Sequence, residues 1–452
     1  MKPVIFRPLS TLLMGFTYLL SQFVDHPFLP VLVSVFAATT ILSFVPYLGK
    51  VPRILISTLL ILSAILFFQN GSWSAVGEGL RSNVGLLAIF IFVPLLSLPI
   101  QSGKYLDYME TIFNHYIKTS RKLYLYLKMT LMGVGSVVNL GTIPIMYQLT
   151  NTPSLESYEK TRLKAMNRGF SLSFMWSPYF ISLALILSYF DVTWIQLFPF
   201  GISMAIIGLL LGVVMEGRLN HPIEITENQT DAIPIKKAQR KLIELVIIIV
   251  SMTAVTMTIE YNVDLSVITI IPVIAIIIST GWSLFYQSIQ SFGKELLGYT
   301  QNRLPKMGNE LSLFIAAGCF GVAILNAGAS EWIIYSLQAS GITHVLVLIP
   351  ILAIVINALS FVGIHPIITI TAMAITLSST PIFEGDHLVL SLGLLSSWMV
   401  TVMASPFSAT NLMIASLVNS NSVKIGLKLN GLYALVLWMI FYLIIVGLYF
   451  VL

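Results

Sequence analysis

At four points inside long apolar runs the sequence sets a proline one or two residues after a side chain that can accept a hydrogen bond: Thr142-Ile-Pro144, Ser177-Pro178, His365-Pro366 and Ser405-Pro406. That order suits the start of a helix, because the side chain satisfies an orphan amide and proline at the first helical position forfeits no backbone bond. Within an apolar run it means an unwound point followed by a fresh half-helix. Gly141 and Gly363 stand just ahead of two of these starts, where the chain must turn. Four such amino ends facing one region would present partial positive charge and unpaired amides, which is the chemistry of an anion site.

The polar residues beside the breaks are Ser136, Asn139 and Thr142; Ser173, Ser177 and the adjoining Pro178; Asn357 and Ser360; and Ser405, Pro406, Ser408, Thr410 and Asn411. Their hydroxyls and amides, with exposed carbonyls, could hydrogen-bond an anion's oxygens or coordinate Na⁺, the ion site lying near Asn139, Thr142, Thr410 and Asn411. The plainer reading is that each proline kinks a helix and each hydroxyl bonds its own backbone. Matching of two breaks with two others favours a site over that reading. Asn139 and Asn411 rank first because an amide is costly to bury. His365 is ionisable at a predicted mid-membrane turn, so it could cap the next half-helix, contact substrate or carry a coupling proton. Apart from it, no Asp, Glu, Lys or Arg is predicted near the middle of a span. That absence argues against a cation antiporter and leaves no catalytic residues, and no acid, base or metal cluster, for an enzyme.

These residues must be positioned by membrane helices. The chain is 57% hydrophobic and 10% charged, far from the roughly 25% charge of soluble domains. Its mean hydropathy is +0.90. The net charge of +5 sits in short loops, so topology explains it better than nucleic acid does. The lone Cys319 leaves no intrachain disulfide and no zinc cluster. The first apolar stretch follows Lys2 and Arg7 but shows no small-residue cleavage site, and is read as a retained helix.

The predicted order is an N-terminal helix within 1–27, a first unit over 28–215, a cytoplasmic linker over 216–241, and a second unit over 242–452. About 11 spans are expected, near 9–23, 28–47, 54–69, 84–100, 169–190, 193–215, 242–259, 263–282, 309–328, 388–417 and 430–451. Residues 103–123 and 329–341 read as interfacial helices. Segments 124–150 and 343–379 read as re-entrant hairpins, each too short for two crossings. Basic loops flank the first, which should enter from the cytoplasm. Glu331, Glu384 and Asp386 flank the second, which should enter from outside. Landmarks recur at a nearly constant offset: 225 for span starts (309 − 84), 222 for hairpin prolines (366 − 144) and 228 for Ser-Pro pairs (405 − 177). The fold expected is therefore all-α and polytopic, with two inverted-topology repeats, each holding a hairpin and a broken helix.

This arrangement resembles the ion transporter superfamily over about residues 28–452, and is closest to the divalent anion/sodium symporter (DASS) family, with TRAP membrane subunits as relatives. The resemblance implies a dimeric elevator transporter moving carboxylates with Na⁺, with the N-terminus inside and the C-terminus outside. The family's Ser-Asn-Thr hairpin tips correspond here to Asn139-Leu-Gly-Thr142 and Phe361-Val-Gly-Ile-His365, which marks a divergent member. The function expected is secondary active transport of a small organic anion across the cell membrane, coupled to Na⁺ or H⁺, as a homodimer in the lipid bilayer. No cofactor is expected beyond a possible Na⁺. Alternatives are a TRAP-like permease needing a binding protein, a passive anion channel or exporter, and a membrane-embedded enzyme acting on lipid.

Overall fold

A computed structural model describes residues 3–216, 221–223 and 233–451. Residues 217–220 and 224–232 of the predicted linker lie outside the described residues. Among the described residues the chain is helical without strands, apart from one isolated bridge between Thr119 and Pro222. Among the described residues, nine helical segments are long and apolar enough to cross a bilayer, and a bent pair makes up to ten. This is a multi-pass membrane protein.

The count differs from eleven at two places. Helix Pro3–Ser21 covers most of the first predicted span, 9–23, but is not among the nine. The predicted span 169–190 is divided by the non-helical residues 176–180, and neither piece is long enough alone. Its first piece begins well before 169. Helix Glu159–Leu172 includes residues read as a polar loop, because Arg162 and Arg168 find partners inside the protein. In the other broken helix, His387–Ala404 and Ala409–Leu417 flank the break at 405–408.

The predicted interfacial segment 103–123 also divides. Helix Tyr105–Tyr116 buries Tyr105, Met109 and Phe113, a spacing of four that forms one face. Thr119 then caps a new helix, Ser120–Gly133, by accepting from the Lys122 amide at 3.3 Å. The first hairpin thus begins at Ser120 rather than 124. It continues as Gly135–Thr150 after a bend of 42°, a geometry of a broken span or of a re-entrant loop. The second hairpin consists of Val345–Phe361 and Pro366–Ser378. At 17 and 13 residues, both limbs fall short of the about 20 that a crossing requires.

Three kinds of contact occur twice, once in each half, close to the offset at which the sequence landmarks recur. Ser177 Oγ donates to the Ser136 carbonyl at 2.9 Å, and Ser405 Oγ donates to the Ser360 carbonyl at 3.0 Å. Gly201 packs on the backbone of Met175 and Trp176, and Gly426 on the Ala404 carbonyl, too closely for any Cβ. Gly169 lies against Lys128 in the first hairpin, and Gly393 against Ile349 in the second. The partners recur 224 (360 − 136, 393 − 169), 225 (426 − 201) and 228 (405 − 177) residues apart. Each half therefore braces its broken helix against its hairpin in the same way.

Candidate functional site

The two breaks begin alike. The Ser177 hydroxyl accepts from the Tyr179 amide at 3.3 Å while donating to the hairpin, and the Ser405 hydroxyl accepts from the Phe407 amide at 3.2 Å. A buried hydroxyl used in both directions has no donor left for a ligand. The new half-helices start three residues later than the prolines suggest, at Ile181 and Ala409. Ser408, not Ser405, caps the second of them, accepting from the Asn411 amide at 3.2 Å and donating to the Val402 carbonyl at 2.8 Å.

Asn411 is fully buried. Its Nδ2 donates to the Met403 and Ser405 carbonyls at 3.0 and 2.9 Å, and its Oδ1 accepts from Asn167 Nδ2 at 2.6 Å. The amide thus covers the last carbonyls of His387–Ala404, a task of the break itself.

The hairpin tips differ. The first turns at Asn139, with φ 62° and ψ −151°, a region almost reserved for glycine. Its Oδ1 accepts from the next amide, Leu140, at 2.8 Å. Helix Thr142–Thr150 then starts from Gly141 with no side-chain cap. Thr142 Oγ1 is buried without a hydrogen-bond partner. The second tip turns at Gly363, φ 96°, where a Cβ would strain the backbone. His365 then caps Pro366–Ser378, its Nδ1 accepting from the Ile367 amide at 3.2 Å. An accepting Nδ1 requires the neutral ring with its proton on Nε2.

A cavity of about 630 Å³ lies where these elements meet. The opening residues of all four half-helices line it: Gly141; Phe180 and Ile181; His365 and Pro366; Ser408 and Ala409. Asn139 and Thr410 also reach it. Ser136, Thr142, Ser177, Pro178, Gly363, Ser405, Pro406 and Asn411 lie outside its lining, behind the residues that form it. Two of the four helix starts carry side-chain caps, His365 and Ser408; the starts at Gly141 and Phe180 carry none. The Thr142 amide is taken by the Asn139 carbonyl and the Phe180 amide by the Ser177 carbonyl at 3.2 Å, which leaves Ile181, on the lining, as the first helical residue whose amide has no side-chain cap.

The opposite wall comes from segments Trp73–Ser102 and Ile289–Asn326. It supplies Ser97, Gln101, Tyr299, Arg303, Lys306 and Glu310, with Phe90 and Phe314. Arg303 donates to Ser97 Oγ at 2.8 Å and to Gln101 Oε1 at 3.2 Å. Most of the remaining surface is apolar and aromatic, including Phe170, Phe174 and Trp398. Sequence reasoning missed this wall because Arg303 and Lys306 read as loop charges, and because Glu310 lies at the edge of a predicted span. Their spacing of three and four residues around a proline was the available signal.

Cations also lie buried within the protein outside the cavity. Lys128, in the first hairpin, is fully buried, its Nζ donating to the Gly208 carbonyl at 2.8 Å and to the Tyr433 hydroxyl at 3.1 Å. Nearby Arg168 is 2% exposed and bonds Asn430 Oδ1 at 2.9 Å, the Tyr124 hydroxyl at 3.1 Å and Glu216 at 3.0 Å. Buried cations so completely partnered hold elements together. Here they tie the first hairpin to helices Glu159–Leu172, Trp194–Met215 and Leu432–Tyr449.

No protein-family model and no curated sequence relative matches the chain. Solved structures do match it in fold. The YdaH transporter of Alcanivorax borkumensis, a protein of unusual topology, superposes with a TM-score of 0.59 at 13% identity, over 87% of this chain and 97% of that one. MtrF of Neisseria gonorrhoeae, from a class of antimetabolite efflux pumps, superposes with a TM-score of 0.53 at 11% identity, over 88% and 96%. The chain therefore has the fold of solved membrane transporters.

Proposed function

We propose that the protein is a secondary active transporter of a small organic anion with a carboxylate group, coupled to Na⁺ or H⁺. One observation carries the reading: four half-helix starts surround a single cavity, and two of them are left uncapped. The anion enters this cavity beside the uncapped helix start at Ile181 and the Asn139 and Thr410 side chains, while the aromatic walls receive its carbon body. Thr142 Oγ1, buried and unpartnered, is the foremost ligand for Na⁺.

The two hairpins and the two broken helices, with the helices Trp194–Met215 and Leu432–Tyr449 fastened to them, form the moving body, held by the serine, glycine and cation contacts described above. The remaining spans form the support against which it slides. The basic wall residues Arg303 and Lys306 support a cytoplasmic opening of the cavity and with it an inward-facing state. Opposite charge around the two hairpins supports inverted repeats, and with them a divergent relative of the DASS family. Export is the second reading, favoured by the likeness to an antimetabolite efflux pump.

The test is a thermal-shift screen of small carboxylates, with and without Na⁺ and across pH. A ligand that binds only the folded state raises its melting temperature. A carboxylate that stabilises the wild type but not Asn139→Ala or Thr410→Ala is the expected outcome; indifference of the wild type to every carboxylate defeats the proposal.

A further inference from the structure

Arg303 and Lys306 are fixed cations on the cavity wall, and Glu310 is its carboxylate. They sit within eight residues, Arg303 ending one turn, Lys306 in the tight turn Leu304–Met307, and Glu310 in the first turn of Gly308–Asn326. Arg303 is held by the neutral acceptors Ser97 and Gln101, which leave its charge uncompensated. Among the described residues, neither Lys306 nor Glu310 has a side-chain partner; the polar group beside the Glu310 carboxylate is its own backbone amide. The cavity thus holds two cations and one carboxylate, unpaired and facing the same space.

We infer that Glu310 carries the coupling proton, and that a carboxylate binds against Arg303 and Lys306 when Glu310 is protonated. This rests on the anion-transport reading above. With Glu310 ionised, its charge offsets Lys306 and repels an arriving carboxylate. With a proton on Glu310 the wall carries two net positive charges, and the anion replaces the carboxylate charge that the proton removed. One proton therefore enters with each anion and leaves with it, by linkage.

The other titratable groups around Glu310 do not offer the same exchange. Tyr299, on its own segment, donates its hydroxyl to the Ile91 carbonyl at 2.6 Å. Tyr179, across the cavity, is a phenol that keeps its proton at neutral pH. Behind the helix start, Gly308 packs on Phe44, and Arg7 lies beyond it over the Tyr47 ring, 3.8 Å from the centroid. His365 faces Glu310 from the second hairpin, but its Nδ1 is committed to the Ile367 amide.

Benzoate binding to the purified full chain in lipid nanodiscs tests this, because benzoate stays ionised between about pH 6 and pH 8. In the wild type the dissociation constant should weaken by up to about tenfold per pH unit as Glu310 loses its proton. Glu310→Gln should bind tightly and without pH dependence, Lys306→Gln should bind poorly at every pH, and His365→Asn, which keeps an acceptor for the cap, should retain the wild-type slope. A flat wild-type profile, or Glu310→Gln with the wild-type slope, overturns the role of Glu310 and leaves the transport reading intact. Failure of benzoate, succinate and citrate to bind at any pH overturns both.

Discussion

The two hairpin tips do the same job by different means, and the serine braces behind them do it by the same means. Ser177 on Ser136 and Ser405 on Ser360 match within 0.1 Å. In front of them, one tip is a strained asparagine followed by a helix start without a side-chain cap, and the other is a glycine turn followed by a histidine cap. What is common to both halves anchors a break in the bilayer, where unpaired backbone must be satisfied by protein. What differs faces the cavity. The contrast separates residues that hold the breaks from residues that meet the solute.

Substitutions can test that separation. The largest effect should come from Gly201→Val and Gly426→Val, which drive a side chain into the backbone of a break; each should lose about 3 kcal/mol or more. Loss of the monodisperse folded species in both, measured by size-exclusion chromatography and thermal melting, is the expected result. Tolerance at one glycine and not the other would break the equivalence of the halves. Ser177→Ala and Ser405→Ala should follow, each removing a donor from a buried carbonyl, for about 1 to 3 kcal/mol. Equal losses, read from melting temperatures, would place both serines in the brace.

At the tips the signs should part. Gly363→Ala forces a Cβ into a positive φ and should destabilise by about 1 kcal/mol. Asn139→Gly relieves a strained residue, so it should stabilise by about 1 kcal/mol while weakening anion binding. A matched response at both tips would remove the asymmetry on which the assignment of roles rests. The smallest effect should be that of the cap: His365→Ala should lose about 0.5 kcal/mol, most of it restored by His365→Asn. No restoration would mean that the imidazole does more than cap.

Much of this architecture was legible before any coordinates. Composition fixed the membrane class, and the offset shared by the Ser-Pro pairs and the hairpin prolines located both breaks. A cap was one of three roles open to His365, and its Nδ1 does accept from the Ile367 amide. The exact helix starts were not legible, since a turn intervenes between each Ser-Pro pair and the next helix, and Ser405 and Ser408 are alike as caps. Asn411 looked like a ligand because a buried amide needs partners, but sequence cannot tell a carbonyl partner from an ion. Lys128 lies among alternating tyrosines and leucines at the start of the first hairpin; only the packing of Tyr124 and Tyr433 around it reveals its burial. The second cavity wall was hidden because charges spaced at a loop are usually topology signals, whereas here they fold back onto the site.

The central claim is tested most directly by flux. The purified chain is reconstituted in liposomes, and a radiolabelled carboxylate found by the thermal-shift screen is followed under an imposed proton or sodium gradient. The account predicts accumulation above the equilibrium level, lost when the gradient is collapsed and lost in Thr410→Ala. Equilibration of the solute at the same rate with and without any gradient would contradict it.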